Sequence, residues 1–500
     1  MPQEKRVVIP ILLFIGISLY ISLTTLFRES LRLDEAQSLW LATKSLPGIV
    51  SYLSTDVHVP LYELMLHFWL QIFGATVVSA RLLSFIFFIA SLPFLFLVAW
   101  QSTNKRTALL ATALYSLSPF IVWYSFEARM YTLLTLVACA SHFFFLRMVR
   151  SNFRRGQVGY FFSIFFGLYT HYFFSLLVLS QIVFFGIYIV RGKPKGARTR
   201  DYAKESKRKI FYFLSPLTFA FILFLPWIIY FSISGFAAND QPLIPPSTAY
   251  NLFQTVVNFL FGFQTTIIQS ILVSLWPLAV IPVFFLFTRK GAEETQLEEM
   301  TYFFIVTVFP IFFVFFVSYL RPIFLSRYLI FVTPSFFILM AWVLFQMSRH
   351  ASSVILSFAA FVMFGFLLTQ NISHDTPVKE DYKGVSNFLM QKASGGDIIA
   401  ISSPFTIYPF EYYYKGNTPV TTIPAWDVYK SGTIPSFNQT SMVNQIKPYN
   451  KVYENIYLVL SYDQGYQKSI VFYMDTHYKR LLVKKFSPGL EVREYKLRYP

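Results

Sequence analysis

Cysteine occurs once in 500 residues, at Cys139, which excludes an internal disulfide and a cysteine-based metal site. Charge is scarce as well. Only 13% of residues are charged, against 55% apolar and 20% aromatic, and mean hydropathy is +0.51. That balance excludes an ordinary soluble domain. Neither a Walker A loop nor a Gly-rich dinucleotide fingerprint is present, so the common nucleotide-binding motifs are missing. Acidic residues number 25 against 42 basic ones, for a net charge of +17. The basic residues sit in short loops between apolar runs, as membrane topology alone would place them, and no nucleic-acid partner is expected.

Long apolar runs are what the chain has in quantity. They lie near 7–26, 82–100, 107–123, 128–147, 157–171, 173–190, 210–231, 265–288, 301–319, 328–346 and 352–370. A bilayer-crossing helix needs about 20 such residues. The expectation is a polytopic α-helical membrane protein with about eleven transmembrane helices. The first run follows the charged start MPQEKR but has no small-residue cleavage site, so it reads as a retained anchor. Loops on the side of the N-terminus hold 20 Lys and Arg, and those on the other side hold 7. The positive-inside rule then puts the N-terminus in the cytoplasm of a multi-pass cell-membrane protein, with the loop at about 27–80 and the tail from 371 outside. The basic stretch 191–209 reads as a topology determinant near anionic head groups.

The tail changes character. SHDTPVKEDYKGVSNFLMQK reads as a helix, Gly395-Gly396 as a turn, and DIIAIS, NIYLVLS, YKRLLVKKF and LEVREYKL as strands, with QGYQKSIVFYM helical between them. The expected organisation is a transmembrane module over 1–370 and a soluble α/β domain over 371–500, packed over the first outer loop. Asn371-Ile-Ser373 and Asn438-Gln-Thr440 fit glycosylation sequons, a pattern frequent by chance.

Ionisable residues in or near lipid are costly and are usually paired or functional. Here they gather on the outer side. Asp34 and Glu35 stand in LRLDEAQSLW directly after the first span, and DVHVPLY adds Asp56, His58 and Tyr62. PLYELMLHFWLQIFG has the period of a helix lying in the interface. Glu127 and Arg129 in SFEARMY, His171 in LYTHYF, and Arg321 and Arg327 in RPIFLSRY map to outer ends of spans. His142 and Arg147 fall toward an inner end and read as boundary residues. Each element has a plain alternative: Asp34 as a helix cap with Glu35 in the first turn, Glu127 with Arg129 as a local pair, His171 as a hydrogen-bonded interfacial residue, Arg327-Tyr328 as an interfacial anchor. Together on one side of the membrane, they suit chemistry that holds an anionic group and deprotonates a hydroxyl.

LRLDEAQSLW, DVHVPLYELMLHFWLQIFG, RLLSF, ALYSLSPFIVWYSFEARMYTL and GLYTHYF, in that order, resemble the bacterial and archaeal protein O-mannosyltransferase-like glycosyltransferases (family 39, PMT-2 type) of the GT-C superfamily, to which the lipid A aminoarabinose transferase is related. The similarity covers about 5–190 and, more loosely, 320–345. It implies a glycosyltransferase that moves a sugar from a polyprenyl-phosphate donor to a glycolipid, polysaccharide or protein acceptor at the outer face, usually with inversion. The family's first-loop acidic motif falls on Asp34-Glu35, which makes Asp34 the implied general base and Glu35 its support. Arg129, Arg321 and Arg327 are the implied phosphate-side donors, with Asp56, His58, Tyr62, Glu127 and His171 near the sugar or the base. Many relatives have Arg-Pro-Asp where this chain reads Arg129-Met130-Tyr131, so the role of that Asp cannot be carried over to Tyr131, and whether Glu127 substitutes for it stays open.

The scheme requires no metal or other cofactor. Asp34, Asp56, His58 and His171 are metal-binding residue types without recognisable ligand spacing. A lipid-linked oligosaccharide ligase or polymerase is the neighbouring enzyme class. A transporter would show repeats, broken helices and polar residues near the midplane, and the sequence displays none of these.

Overall fold

A computed structural model describes residues 12, 13, 15–21, 23, 24, 30–150, 153–191, 199–234, 246–275, 294–347, 352–372, 380–427 and 434–497. Parts of the expected spans at 7–26 and 265–288, of the basic stretch 191–209, and of the segment at the start of the tail lie outside them. The chain forms two compact units: Met1–Phe27, His58–Ile233 and Ile244–Ser373 in the first, Arg28–Val57, Ser234–Leu243 and His374–Pro500 in the second.

The first unit is helical. Among the described residues six helices are long and apolar enough to cross a membrane, and up to eight if each of two bent pairs is one span. They include Val77–Ser102, Tyr131–Arg150, Phe174–Arg191 and Gln296–Val317. This is a multi-pass membrane protein. The helix Leu61–Phe73 forms where the amphipathic pattern placed one.

Two expected continuous stretches are broken. The span expected at 107–123 is the pair Lys105–Leu117 and Pro119–Ser125, bent by 64°. Ser118 accepts from the Ile121 amide and Pro119 opens the second helix, so the Ser-Pro step both ends one helix and caps the next. The pair Ala249–Phe261 and Thr266–Ser274 is bent by 106°, and the first of these helices falls outside every expected span. Its turn is Gly262, with φ +66°, where an added Cβ would lie 2.6 Å from Pro119 Cβ. Gln370 ties the two breaks together: its amide donates to the Pro119 carbonyl (2.8 Å) and its side-chain oxygen accepts from the Phe263 amide (2.7 Å).

His142 also differs from its reading as a boundary residue. It is fully buried and its Nδ1 lies 2.7 Å from the Tyr302 hydroxyl. Gln181 donates to that same hydroxyl (3.1 Å) and to Ser141 (3.0 Å), and accepts from Tyr160 (2.8 Å). Broken helices and a buried polar network are therefore present, contrary to the sequence expectation. The polar residues stand far apart in sequence, and no periodicity announces which ones meet.

The second unit contains a five-stranded mixed sheet in the order β2-β1-β3-β5-β4. The strands are β1 (Ile398–Ser402), β2 (Val420–Thr422), β3 (Asn455–Leu460), β4 (Lys479–Ser487) and β5 (Leu490–Lys496). β1 pairs in parallel with β2 and β3, and β5 runs antiparallel to β3 and β4. IIAIS is buried along its whole length, as suits a central parallel strand with both faces covered. Ile398, Ala400, Ile456 and Leu458 pack with Ile470 and Met474 of the Gln467–His477 helix, with Met442 and Ile446 in the same core. Residues Arg28–Val57 belong to this unit: the helices Leu33–Ala42 and Leu46–Leu53 come from the loop after the first apolar run, and the former packs on the helix Ile407–Tyr413.

Candidate active site

In the first unit the centre of the arrangement is Arg129. Its side chain is only 5% exposed and its Nη1 lies 3.8 Å from Glu63, whose side chain is 4% exposed. Nη2 lies 2.6 Å from His58 Nε2. A guanidinium only donates, so that His58 nitrogen accepts. The backbone is fixed at the same place: the Arg129 amide donates to the Glu127 carbonyl (2.7 Å), and the Arg129 carbonyl accepts from Ser84 (3.2 Å), whose hydroxyl meets that of Tyr62 (2.8 Å). Tyr62 thus supports the Arg129 backbone rather than presenting its hydroxyl at an open surface. Glu127 is 2% exposed. Tyr131 is buried edge-on against Tyr124 at 4.7 Å.

His171 joins this group electrostatically. It sits between the helices Phe153–Thr170 and Phe174–Arg191, and its Nδ1 accepts from the Phe173 amide (3.1 Å). Burial pushes its pKa down to about 3, and the neighbouring His58, Arg129 and Arg327 push the same way. At neutral pH the ring is therefore uncharged, with its proton on Nε2 as a donor. Its ring lies 5.6 Å from that of Tyr328, and the half-buried Arg327 guanidinium lies 5.5 Å from the Tyr328 ring. Arg321 is exposed, just beyond the helix Glu294–Val317. The arrangement concentrates two guanidiniums and a neutral imidazole donor in poorly solvated surroundings. Such surroundings favour an anion with several acceptor oxygens.

In the second unit lie Asp34, Glu35 and Asp56. The helix Leu33–Ala42 starts after Arg32, whose amide donates to the Glu35 carboxylate (3.1 Å). The capping role falls on Glu35, 1% exposed, rather than on Asp34, which is half-buried in the first turn. Asp56 accepts from the Val57 amide (2.7 Å). The Arg32 side chain lies 3.5 Å from Glu380, and the Leu31 amide donates to Tyr413 (2.8 Å). Farther along, Trp40 stands 5.4 Å from Tyr52 and 5.1 Å from Tyr408, and the two tyrosine hydroxyls are 3.0 Å apart.

The sequence-chosen residues thus separate by unit: His58, Tyr62, Glu127, Arg129, Tyr131, His171, Arg321 and Arg327 in the first, Asp34, Glu35 and Asp56 in the second. Glu63, Ser84, Arg32 and Glu380 were missed. Glu63 had a visible signal, an acidic residue inside PLYELMLHFWLQIFG five positions after His58. Among the described residues no group of three or more His, Cys, Asp or Glu is placed to hold a metal ion.

Residues 57–230, about a third of the chain, match the Dolichyl-phosphate-mannose-protein mannosyltransferase family. The chain is similar along nearly its whole length to solved structures of ArnT from Cupriavidus metallidurans. For the apo state the TM-score is 0.63 at 13% identity, covering 98% of this chain and 98% of the other. For the form bound to undecaprenyl phosphate it is 0.62 at 12% identity, covering 98% and 99%. The chain has the GT-C fold. The matched segment begins at Val57 and takes in His58, Tyr62, Glu63, Arg129 and His171, while Arg327 lies beyond its end. Against curated protein sequences the chain has no match.

Proposed function

We propose that the chain is a glycosyltransferase that moves a sugar from a polyprenyl-phosphate donor to an acceptor hydroxyl at the outer face of the membrane, with inversion. The observation that carries this reading is the buried Arg129 cluster, in which the neutral His171 and Arg327 add donors suited to a phosphate. The undecaprenyl phosphate in one of the similar ArnT structures supports a lipid-linked donor. Arg129, Arg327 and His171 hold the phosphate and compensate the charge that grows on it as the glycosidic bond breaks. Asp34 removes the proton from the acceptor hydroxyl, and Glu35 holds the start of its helix. A polyprenyl phosphate is a stable anion, so its departure needs no acid, and one positioned base suffices for an oxocarbenium-like transfer. The acceptor is a glycolipid, a polysaccharide or a protein.

A transporter reading has two observations in its favour, the two broken helix pairs and the buried Gln181 network. The test separates the two. Full-length protein in nanodiscs, given radiolabelled undecaprenyl-phosphate mannose and the host's extracted membrane glycolipids and proteins, should release undecaprenyl phosphate as label appears on an acceptor. Arg327→Ala should weaken donor binding on the order of 10-fold. Unchanged donor affinity would remove Arg327 from the phosphate site, and label crossing the bilayer of sealed proteoliposomes without transfer would favour the transporter.

A further inference from the structure

A buried carboxylate of the C-terminal sheet domain, Glu380, pairs with the residue that opens the Leu33–Ala42 helix. Glu380 has a side chain only 4% exposed and lies 3.5 Å from Arg32 Nε. Its other oxygen accepts a hydrogen bond from the Tyr462 hydroxyl. A carboxylate buried to this degree is costly unless paired and hydrogen-bonded, and such pairs are best attested as devices that fix one arrangement among several. Arg32 is engaged from both ends, since its own amide donates to Glu35 one turn into the helix. One residue earlier, the Leu31 amide donates to the Tyr413 hydroxyl. Asp34 is therefore two residues from a clamp whose other jaw lies more than 340 positions away in the sequence.

Tyr462 adds an independent sign of constraint. It is a non-glycine residue at φ +52°, a conformation that costs energy and persists only where surrounding structure enforces it. Its carbonyl accepts from Ser403 (2.9 Å), which fixes that backbone. Burial, then the adjacent Glu380, pushes the Tyr462 hydroxyl well above its usual pKa, so it stays protonated and donates.

We infer that Glu380 is a positioning residue for the Asp34 helix, and that the C-terminal domain sets the placement of the base rather than serving only as a cover. This rests on the reading of Asp34 as the base. Misplacing a reacting group by about 1 Å costs on the order of 100-fold in rate, whereas donor binding does not pass through this clamp.

The test uses the full chain in nanodiscs with undecaprenyl-phosphate mannose and the same acceptor extract. Glu380→Gln should lower kcat on the order of 10- to 100-fold while the donor KM moves by less than about twofold and the melting midpoint stays near that of the wild type. Tyr462→Phe, the milder change, should shift kcat in the same direction by less. The reversed pair Arg32→Glu with Glu380→Arg should recover part of the kcat lost by Glu380→Arg alone. Wild-type kcat in Glu380→Gln beside an inactive Asp34→Asn would overturn the inference and leave the base reading standing. Loss of kcat together with the melting midpoint, unrelieved by charge reversal, would reduce Glu380 to a structural residue and also overturn it. Full activity in Asp34→Asn would remove the base reading itself, and the inference with it.

Discussion

Glu63→Gln is the most revealing single change in the Arg129 cluster, because it removes one charge and almost no volume. Glu63 and Arg129 are 3.8 Å apart with side chains 4% and 5% exposed. At an effective dielectric of about 20 their Coulomb attraction is about 4 kcal/mol, and breaking a buried pair by removing one partner typically costs about 3–5 kcal/mol. Glutamine keeps the shape and one acceptor oxygen, so the lower end applies, a loss of about 3 kcal/mol. Arg129→Gln should cost a similar amount. Because each single change leaves the other charge buried, the double variant should lose less than the sum, with a coupling of about 1–3 kcal/mol. Equilibrium unfolding in detergent micelles, followed by tryptophan fluorescence for the wild type, both single variants and the double, measures this directly. A loss below about 0.5 kcal/mol for Glu63→Gln, or strict additivity, would refute the pair as the organiser of the cluster.

Two further outcomes follow from the same geometry. With the His171 pKa near 3 in the fold and near 6.5 when unfolded, its contribution to stability is complete above pH 6.5 and is lost as pH falls toward 3, by up to about 1.4 kcal/mol per pH unit. Melting of the wild type and His171→Gln from pH 7.5 to pH 4 should show a shallower decline in the variant, and equal slopes would contradict the assignment. Gly262→Ala should destabilise the protein by about 1–3 kcal/mol, since the left-handed turn faces Pro119 and Gln370. A melting point equal to the wild type would show that the two helix breaks tolerate separation.

How far the sequence reaches depends on the range of the interaction. The C-terminal strands Ile398–Ser402, Asn455–Leu460, Lys479–Ser487 and Leu490–Lys496 follow runs legible in the sequence, because apolar and β-branched content is a local signal. The short strand Val420–Thr422 and the helices Ile407–Tyr413 and Gln439–Ile446 were not legible, being too brief for a period to show. The break at Ser118-Pro119 is legible, since an N-cap followed by proline is a helix start even inside an apolar run. The residue types around Arg129 could be collected from their place at span ends. Which of them touch could not: His58, Glu63 and Ser84 reach Arg129 across 45 to 71 positions. The clamp on the Asp34 helix pairs Arg32 with Glu380, and no local pattern announces a partner that distant.

The central claim is that this chain transfers sugar with Asp34 as the base, and Asp34→Asn tests it most directly. The substitution keeps the shape of a half-buried residue in the first turn of its helix. Single-turnover transfer from undecaprenyl-phosphate mannose by the purified protein in nanodiscs should fall by about 10²- to 10⁴-fold, with donor binding retained. Transfer at the wild-type rate in Asp34→Asn would contradict the account.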